Sequence, residues 1–170
     1  LKEKVGPLEK YVADRISMPI ARLTSVLAAD QIDGVALAIS QVESGGALVI
    51  GDETGIGKGR QAAALIRYAK ARGMIPVFFT KDPKLFTDMF GDLKDIETPI
   101  KPLVFGDPEK ANIVNGEGDV LISAPTSKMQ KQIIEKIDKK GMKEAGYDAI
   151  FSTYSQINQR NHRQTFLEEL

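Results

Sequence analysis

Apolar residues recur along this chain in two patterns, as short continuous runs and at helical spacing. Continuous apolar runs predict strands at 47–50, 75–80, 102–105, 120–122 and 147–153. Helical spacing, or helix-forming composition, predicts helices at 32–42, 61–71, 85–93, 129–137 and 159–170. Because strands and helices alternate, we expect an α/β fold, a mostly parallel sheet with helices on both faces.

Turn and cap residues mark where these elements begin and end. Residues 1–23, broken by Pro7 and Pro19, are expected to be an irregular or short helical lead-in to one domain at 24–170. The Asn-Gly-Glu-Gly cluster at 115–118 predicts a turn, as in a hairpin. Residues that favour helix N-caps precede three predicted helices: Asp30, Asp82, and Thr126 or Ser127.

The segment 51–60 lies between an apolar run and a helix, which is the layout of a nucleotide phosphate loop. Its glycines let the backbone approach an anion, and the helix N-terminus that follows favours negative charge. Lys58 would bring a cation to the β- and γ-phosphates, so we predict it as the catalytic residue. The predicted nucleotide contacts in the loop are Asp52, Glu53, Thr54, Gly55, Ile56, Gly57, Lys58, Gly59 and Arg60.

Two positions depart from the common GxxxxGK[ST] pattern. Asp52 stands at the first glycine, and Gly59 stands where a hydroxyl residue normally ligates Mg²⁺. We therefore expect ATP and Mg²⁺ as cofactors but predict no metal ligand from the chain. A glycine-rich turn that binds nothing is the structural alternative.

Composition narrows the possible functions. The 170 residues carry 23 basic and 23 acidic side chains, so a strongly basic nucleic-acid module is not indicated. The chain has no cysteine and one histidine, which excludes a disulfide framework and a multi-histidine metal cluster. No membrane-length apolar run and no signal peptide is visible, so we expect a cytoplasmic protein without a membrane partner.

Four segments resemble motifs of the helicase superfamily 2 ATPases. GDETGIGKGRQAAALI is similar to motif I, and its Gly-Lys-Gly-Arg is closest to the strawberry-notch group. Residues 27–35 resemble the Q-motif, which implies that Gln31 reads the adenine edge. Residues 77–80 and 147–154 resemble segments that touch the nucleic-acid backbone, which implies contacts from Thr80 and Thr153 at the strand ends, with Tyr154 expected in the core.

The resemblance implies a three-layer, RecA-like P-loop NTPase domain that acts on nucleic acid, with DNA favoured over RNA. The family pattern continues with an Asp-Glu-x-His motif, which this sequence lacks, and with a second RecA-like domain. We therefore expect a partial first domain, truncated before the acidic strand and partnered by a C-terminal motor domain. Some relatives are joined to adenine-specific DNA methyltransferase domains, which makes such a fusion a further expected partner.

Two functions remain open from the sequence. The first is the ATP-binding portion of a helicase- or translocase-like, nucleic-acid-dependent ATPase. The second is a nucleotide-binding regulatory or scaffolding module without catalysis, which the missing acidic motif favours for this chain taken alone. A small-molecule kinase is a weaker third option, because Lys58 is not followed by Ser or Thr.

Overall fold

A computed structural model describes residues 1–51, 57–157 and 162–169. The chain divides into two compact units: the helical unit, residues 1–74 and 91–98, and the sheet unit, residues 75–90 and 99–170. The expected boundary between a lead-in and a domain at residues 23 and 24 stays a prediction.

The helical unit is built from helices whose apolar faces pack on one another. Its helices are α1 (Lys2–Val5), α2 (Leu8–Ile16), α3 (Ile20–Val26), α4 (Ala29–Glu43) and α5 (Lys58–Ala71), and the division between the units falls within α6 (Leu85–Asp95). The helices α2, α4 and α5 contact each other. They bury Val12, Ile16, Val35, Ile39 and Ala63, each at most 1% exposed, so this unit has an apolar core of its own.

The ends of α4 differ in part from the predicted ends. Asp30 was expected to cap this helix, but the N-cap is Ala28, and Asp30 lies in the first turn. The side-chain oxygen of Gln31 accepts the Ala28 N–H at 3.0 Å, as a glutamine at the third helical position does in a capping box. At the other end α4 stops before Gly45, whose φ of 76° suits glycine, as predicted.

The predicted strand at residues 47–50 is wrong. These residues form no strand, and the Val49 side chain is 92% exposed. A strand needs a neighbour to take up its backbone hydrogen bonds. Among the described residues, the parallel sheet contains only segments that follow residue 76.

The sheet unit contains a parallel sheet and a hairpin, as the sequence predicts. Its strands are β1 (Val77–Thr80), β2 (Pro102–Phe105), β3 (Ile113–Val114), β4 (Val120–Ile122) and β5 (Ala149–Thr153), and its further helices are α7 (Ser127–Lys140), α8 (Met142–Ala145), a 3-10 turn (Tyr154–Gln156) and α9 (His162–Glu168). The sheet has the order β1-β5-β2 with both pairs parallel. This arrangement confirms the α/β fold class with a parallel sheet.

Turn and cap residues in the sheet unit follow the sequence closely. Thr126 caps α7 by accepting the Met129 N–H at 3.4 Å. The Asn115 side chain accepts N–H groups of Glu117 and Asp119 at 2.9 and 2.8 Å, which closes the antiparallel hairpin β3–β4. Asp82 accepts the Lys84 N–H at 2.9 Å, but α6 begins at Leu85 and not directly after Asp82, as a role of Asp82 as N-cap would require.

Alternating residues of β5 cover the two faces of the sheet. Ile150 belongs to an apolar cluster with Leu103, Phe105, Ile134, Ile137 and Phe166, which joins this face to α7 and α9. Phe151 points to the opposite face, where its ring lies 5.3 Å from Phe78 and 5.7 Å from Phe86 of α6. Helices therefore cover both faces of the sheet, as the alternating pattern predicts.

No single helix in the described ranges is long and apolar enough to cross a membrane. The consecutive helices α3 and α4 reach the required length and apolar content only as a pair, and they are bent by 113°.

Arg67 on α5 binds two turns of the helical unit that have unusual backbone conformations. Ser17 and Glu97 both have a φ of 53°, which is left-handed and costly for residues other than glycine. The Arg67 guanidinium donates to the Ser17 carbonyl at 2.9 Å and to the Glu97 carbonyl at 2.8 Å, and also to the neighbouring carbonyls of Ile16 and Ile96. Burial lowers the pKa of Arg67. The arginine therefore holds the end of α2 and the segment after α6 against α5.

Replacing Arg67 with glutamine should destabilise the helical unit by about 2–4 kcal/mol, because four backbone carbonyls lose their donor, two of them in part-buried hydrogen bonds. The measurement is urea unfolding followed by circular dichroism. The control is Lys10→Gln, which removes an exposed pair with Asp14 on α2 and should change stability by less than about 0.5 kcal/mol. Equal effects of the two substitutions would contradict this role of Arg67.

Glu43, at the end of α4, joins three helices through its carboxylate. It accepts hydrogen bonds from Arg15 at 2.9 and 3.1 Å, from the Tyr11 hydroxyl at 3.0 Å and from the Tyr68 hydroxyl at 3.4 Å. The hydrogen-bonded Arg15 guanidinium holds the pKa of Glu43 below its ordinary value, although burial acts in the opposite direction. The charged form of this carboxylate therefore stabilises the contacts of α2 and α5 with α4.

Because the folded pKa of Glu43 is depressed, its contribution is complete above the unfolded pKa, near 4.5, and is lost as pH falls through the folded pKa. Glu43→Gln should lower stability at neutral pH by about 1–3 kcal/mol and should remove this part of the acid sensitivity. Urea unfolding between pH 3 and pH 7, with exposed Glu135→Gln as control, tests the prediction. An unchanged pH dependence in Glu43→Gln would refute it.

Candidate functional site

The predicted phosphate loop leads into α5 at a glycine that no other residue could replace easily. Gly57 is the N-cap of α5, with φ 76° and ψ 37°, in the left-handed region. A Cβ at this position would overlap the side-chain amide nitrogen of Gln31. The backbone conformation therefore favours glycine here, and a Cβ would also require the Gln31 side chain to move.

Lys58 is the first residue of α5 and is half-buried. In the part of the chain that the structure describes, no side chain caps this helix end. A helix N-terminus presents backbone N–H groups and partial positive charge, which suits an anion such as a phosphate. A helix N-terminus at Lys58 is thus found, although the strand predicted before the loop is not, and the role of Lys58 as catalytic residue stays a prediction.

Gln31 connects the beginnings of two helices at this site. Its side-chain oxygen accepts the Ala28 N–H, and its nitrogen donates to the Gly57 carbonyl at 3.4 Å. The residue is 8% exposed. The structure therefore brings Gln31 to Gly57, and the contact with adenine that the Q-motif resemblance implies stays a prediction.

Gly59 faces a carboxylate that sequence reasoning missed. A Cβ built on Gly59 would overlap one carboxylate oxygen of Asp92 and would lie 3.0 Å from its Cγ. Asp92 is on α6, far from the loop in sequence, and no motif pointed to it. Only the packing of α6 against the start of α5 within the helical unit reveals this neighbour.

Arg60, also predicted as a nucleotide contact, has two partners in the helical unit. Its guanidinium donates to the Val26 carbonyl at 3.2 Å and forms an ion pair with Asp95 at 2.8 Å. The side chain is 40% exposed. These contacts tie the first turn of α5 to α3 and α6. Five further predicted loop contacts, Asp52, Glu53, Thr54, Gly55 and Ile56, lie outside the described residues.

The residues present fit a nucleotide with its divalent cation. Glycine at 57, lysine at 58 and a helix N-terminus without a side-chain cap suit phosphate oxygens. The described ranges hold no group of three acidic, histidine or cysteine side chains that could bind a metal without other ligands. A magnesium ion at this site would therefore depend on nucleotide oxygens for part of its coordination.

Thr80 and Thr153 come together at one edge of the sheet unit. They are register partners at the carboxyl ends of the adjacent parallel strands β1 and β5. Both are buried, and their hydroxyls bond locally: Thr80 donates to the Asp82 carbonyl at 3.4 Å, and Thr153 shares a 2.9 Å hydrogen bond with Ser155. The predicted contacts with nucleic acid stay predictions.

An aromatic pair at the same strand ends was also missed. Tyr154 was expected in the core, but it is 53% exposed, because it starts a 3-10 turn directly after β5. Its ring stacks on Phe79 of β1, with centroids 5.9 Å apart and planes inclined by 17°. The Thr-Tyr sequence could have suggested this position, but exposure depends on where the strand ends.

A family model described as P-loop containing NTP hydrolase pore-1 matches residues 5–170 of the chain. No curated protein and no solved structure gives a significant match. The match agrees with the parallel α/β sheet and with the helix end at Gly57 and Lys58. From the loop, the sheet and this match together, the chain belongs to the family of P-loop containing NTP hydrolases of the pore-1 type.

Proposed function

We propose that this chain is the ATP-binding portion of a nucleic-acid-dependent ATPase, a helicase- or translocase-like motor. The observation that carries the proposal is the hydrogen bond from Gln31 to the Gly57 carbonyl. It places a side-chain amide, which can pair with an adenine edge, at the same helix end as Lys58. Selection of ATP requires both a base-reading group and a phosphate-binding end.

The chemistry assigned to this site is phosphate binding and charge stabilisation. Lys58 and the first turn of α5 would hold the β- and γ-phosphates. Magnesium bound with the nucleotide would neutralise charge that develops on the phosphates. Gln31 would orient the base, while its hydrogen bond to the Gly57 carbonyl links the start of α5 to α4.

The carboxyl ends of β1 and β5 support a nucleic-acid contact in the sheet unit. Backbone N–H groups at the ends of these strands can position phosphates beside Thr80 and Thr153, and exposed Lys81 follows Thr80 directly. The Tyr154 ring, stacked on Phe79 and half-exposed, can receive an unpaired base. Such contacts bind a strand without reading its sequence.

The proposal includes partners that the resemblance implies. They are DNA rather than RNA, a second motor domain and, in some architectures, an adenine-specific DNA methyltransferase, in a cytoplasmic protein. A second domain would supply the arginine that stabilises transferring phosphate, and an acidic strand end would position the attacking water.

Replacing Lys58 with alanine should weaken ATP binding about 10- to 100-fold, because a charge-assisted contact to phosphate is lost. Binding of a fluorescent ATP analogue and ATP hydrolysis with and without single- or double-stranded DNA and RNA are the measurements. The matched control is Lys94→Ala, which removes an exposed lysine in the last turn of α6.

Three results would separate the candidate functions. Hydrolysis that nucleic acid stimulates and that Lys58→Ala abolishes supports the motor. Nucleotide binding without hydrolysis under any condition supports the regulatory module instead. Unchanged binding and hydrolysis in Lys58→Ala would refute the phosphate-site assignment itself.

Replacing Tyr154 with alanine should weaken binding of single-stranded DNA by about 1–3 kcal/mol, because one base loses its stacking surface. Tyr154→Phe keeps the ring and should bind like the parent. Fluorescence anisotropy with a labelled oligonucleotide measures the affinity, and circular dichroism checks the fold. Equal affinities of the alanine and phenylalanine variants would rule out a stacking role.

A further inference from the structure

The space beside Gly59 is filled by a group from another helix. The missing Cβ leaves room at the second residue of α5, and a carboxylate oxygen of Asp92 occupies it. A serine or threonine at this position would carry its hydroxyl oxygen one bond beyond Cβ. The Asp92 oxygen therefore stands close to where the magnesium-binding hydroxyl of the common phosphate-loop pattern would be.

The charges at this helix end favour a cation between Asp92 and a nucleotide. A carboxylate near an α-helix N-terminus is stabilised by the helix dipole. A triphosphate at the same end would add several negative charges, and like charges at short range repel each other. A divalent cation removes this conflict by binding oxygens of both groups, and Mg²⁺ is typically held by one or two carboxylates together with substrate phosphates and water.

We propose that Asp92 replaces the missing hydroxyl and holds the nucleotide-bound Mg²⁺, directly or through one water molecule. The inference rests on the proposed ATP-binding function of the same helix end. It explains how a phosphate loop with glycine after its lysine keeps an oxygen ligand for the metal. It also gives the glycine at position 59 a role, since a Cβ there would require the Asp92 carboxylate to move.

The first test compares binding of a fluorescent ATP analogue in excess Mg²⁺ and in EDTA. In the parent protein, Mg²⁺ should strengthen binding. In Asp92→Asn, the factor by which Mg²⁺ strengthens binding should be about 10- to 100-fold smaller. In EDTA the same variant should bind at least as tightly as the parent, because a negative charge near the phosphates is gone. Asp138→Asn, an equal charge change at an exposed position of α7, should match the parent in both buffers.

The second test removes the Asp92 carboxylate and restores a hydroxyl residue at position 59, where the common phosphate-loop pattern has its metal ligand. Asp92→Ala alone should lose the dependence on Mg²⁺, and Gly59→Thr combined with Asp92→Ala should recover it, because the alanine leaves room for the new hydroxyl. Electron paramagnetic resonance of Mn²⁺ in the presence of ATP gives a readout that is independent of hydrolysis. Immobilised Mn²⁺ is expected in the parent and in the double variant but not in Asp92→Ala.

The outcomes distinguish the two proposals. If Mg²⁺ strengthens nucleotide binding by Asp92→Asn as much as by the parent, the metal-holding role of Asp92 is overturned. An equal loss of affinity in Mg²⁺ and in EDTA would also overturn it, because such a loss marks a purely structural effect. Absence of nucleotide binding by the parent in both buffers would overturn the proposed function itself.

Discussion

The absence of a Cβ atom at Gly57 and at Gly59 determines which side chains can lie beside Lys58 at the start of α5. At Gly57 the left-handed backbone leaves room for the amide of Gln31, which arrives from α4. At Gly59 the same kind of space admits the carboxylate of Asp92, which arrives from α6. A side chain at either glycine would push a polar group away from the helix end. Because glycine has no side chain, polar groups of α4 and α6 can lie at the N-terminus of α5.

The helix that carries this end is itself held in place by cations along its length. Arg60 binds the Val26 carbonyl and Asp95, and Arg67 binds the carbonyls of two left-handed residues. Near the end of α5, the Tyr68 hydroxyl reaches Glu43, which also binds Arg15. Hydrogen bonds to charged groups are stronger than neutral ones and directional, so they fix α4 and α6 relative to α5 within the helical unit. The positions of Gln31 and Asp92 follow from those fixed helices.

In the sheet unit, the parallel pairing of strands determines which residues lie side by side at the strand ends. Because β1 and β5 run in the same direction and in register, Thr80 and Thr153 end side by side. The chain turns immediately after Thr153, so the Tyr154 ring lies outside the core and against Phe79. The sheet unit thus brings two buried threonines and the half-exposed Tyr154 ring to one sheet edge, and a nucleic-acid contact there is part of the proposed function.

Local patterns in the sequence determined α5, the strand Pro102–Phe105, the hairpin turn at Asn115 and the parallel α/β class, because periodicity, caps and turn residues act over a few neighbouring positions. The glycine-rich segment 51–60 likewise predicted a phosphate-binding helix end at Lys58. Tertiary structure decided the rest. Residues 47–50 have a strand-like composition, yet they lack a pairing partner among the described residues, and pairing is a non-local property. Asp92 meets Gly59, and Tyr154 stays exposed, only because helices and strands distant in sequence pack in one particular way.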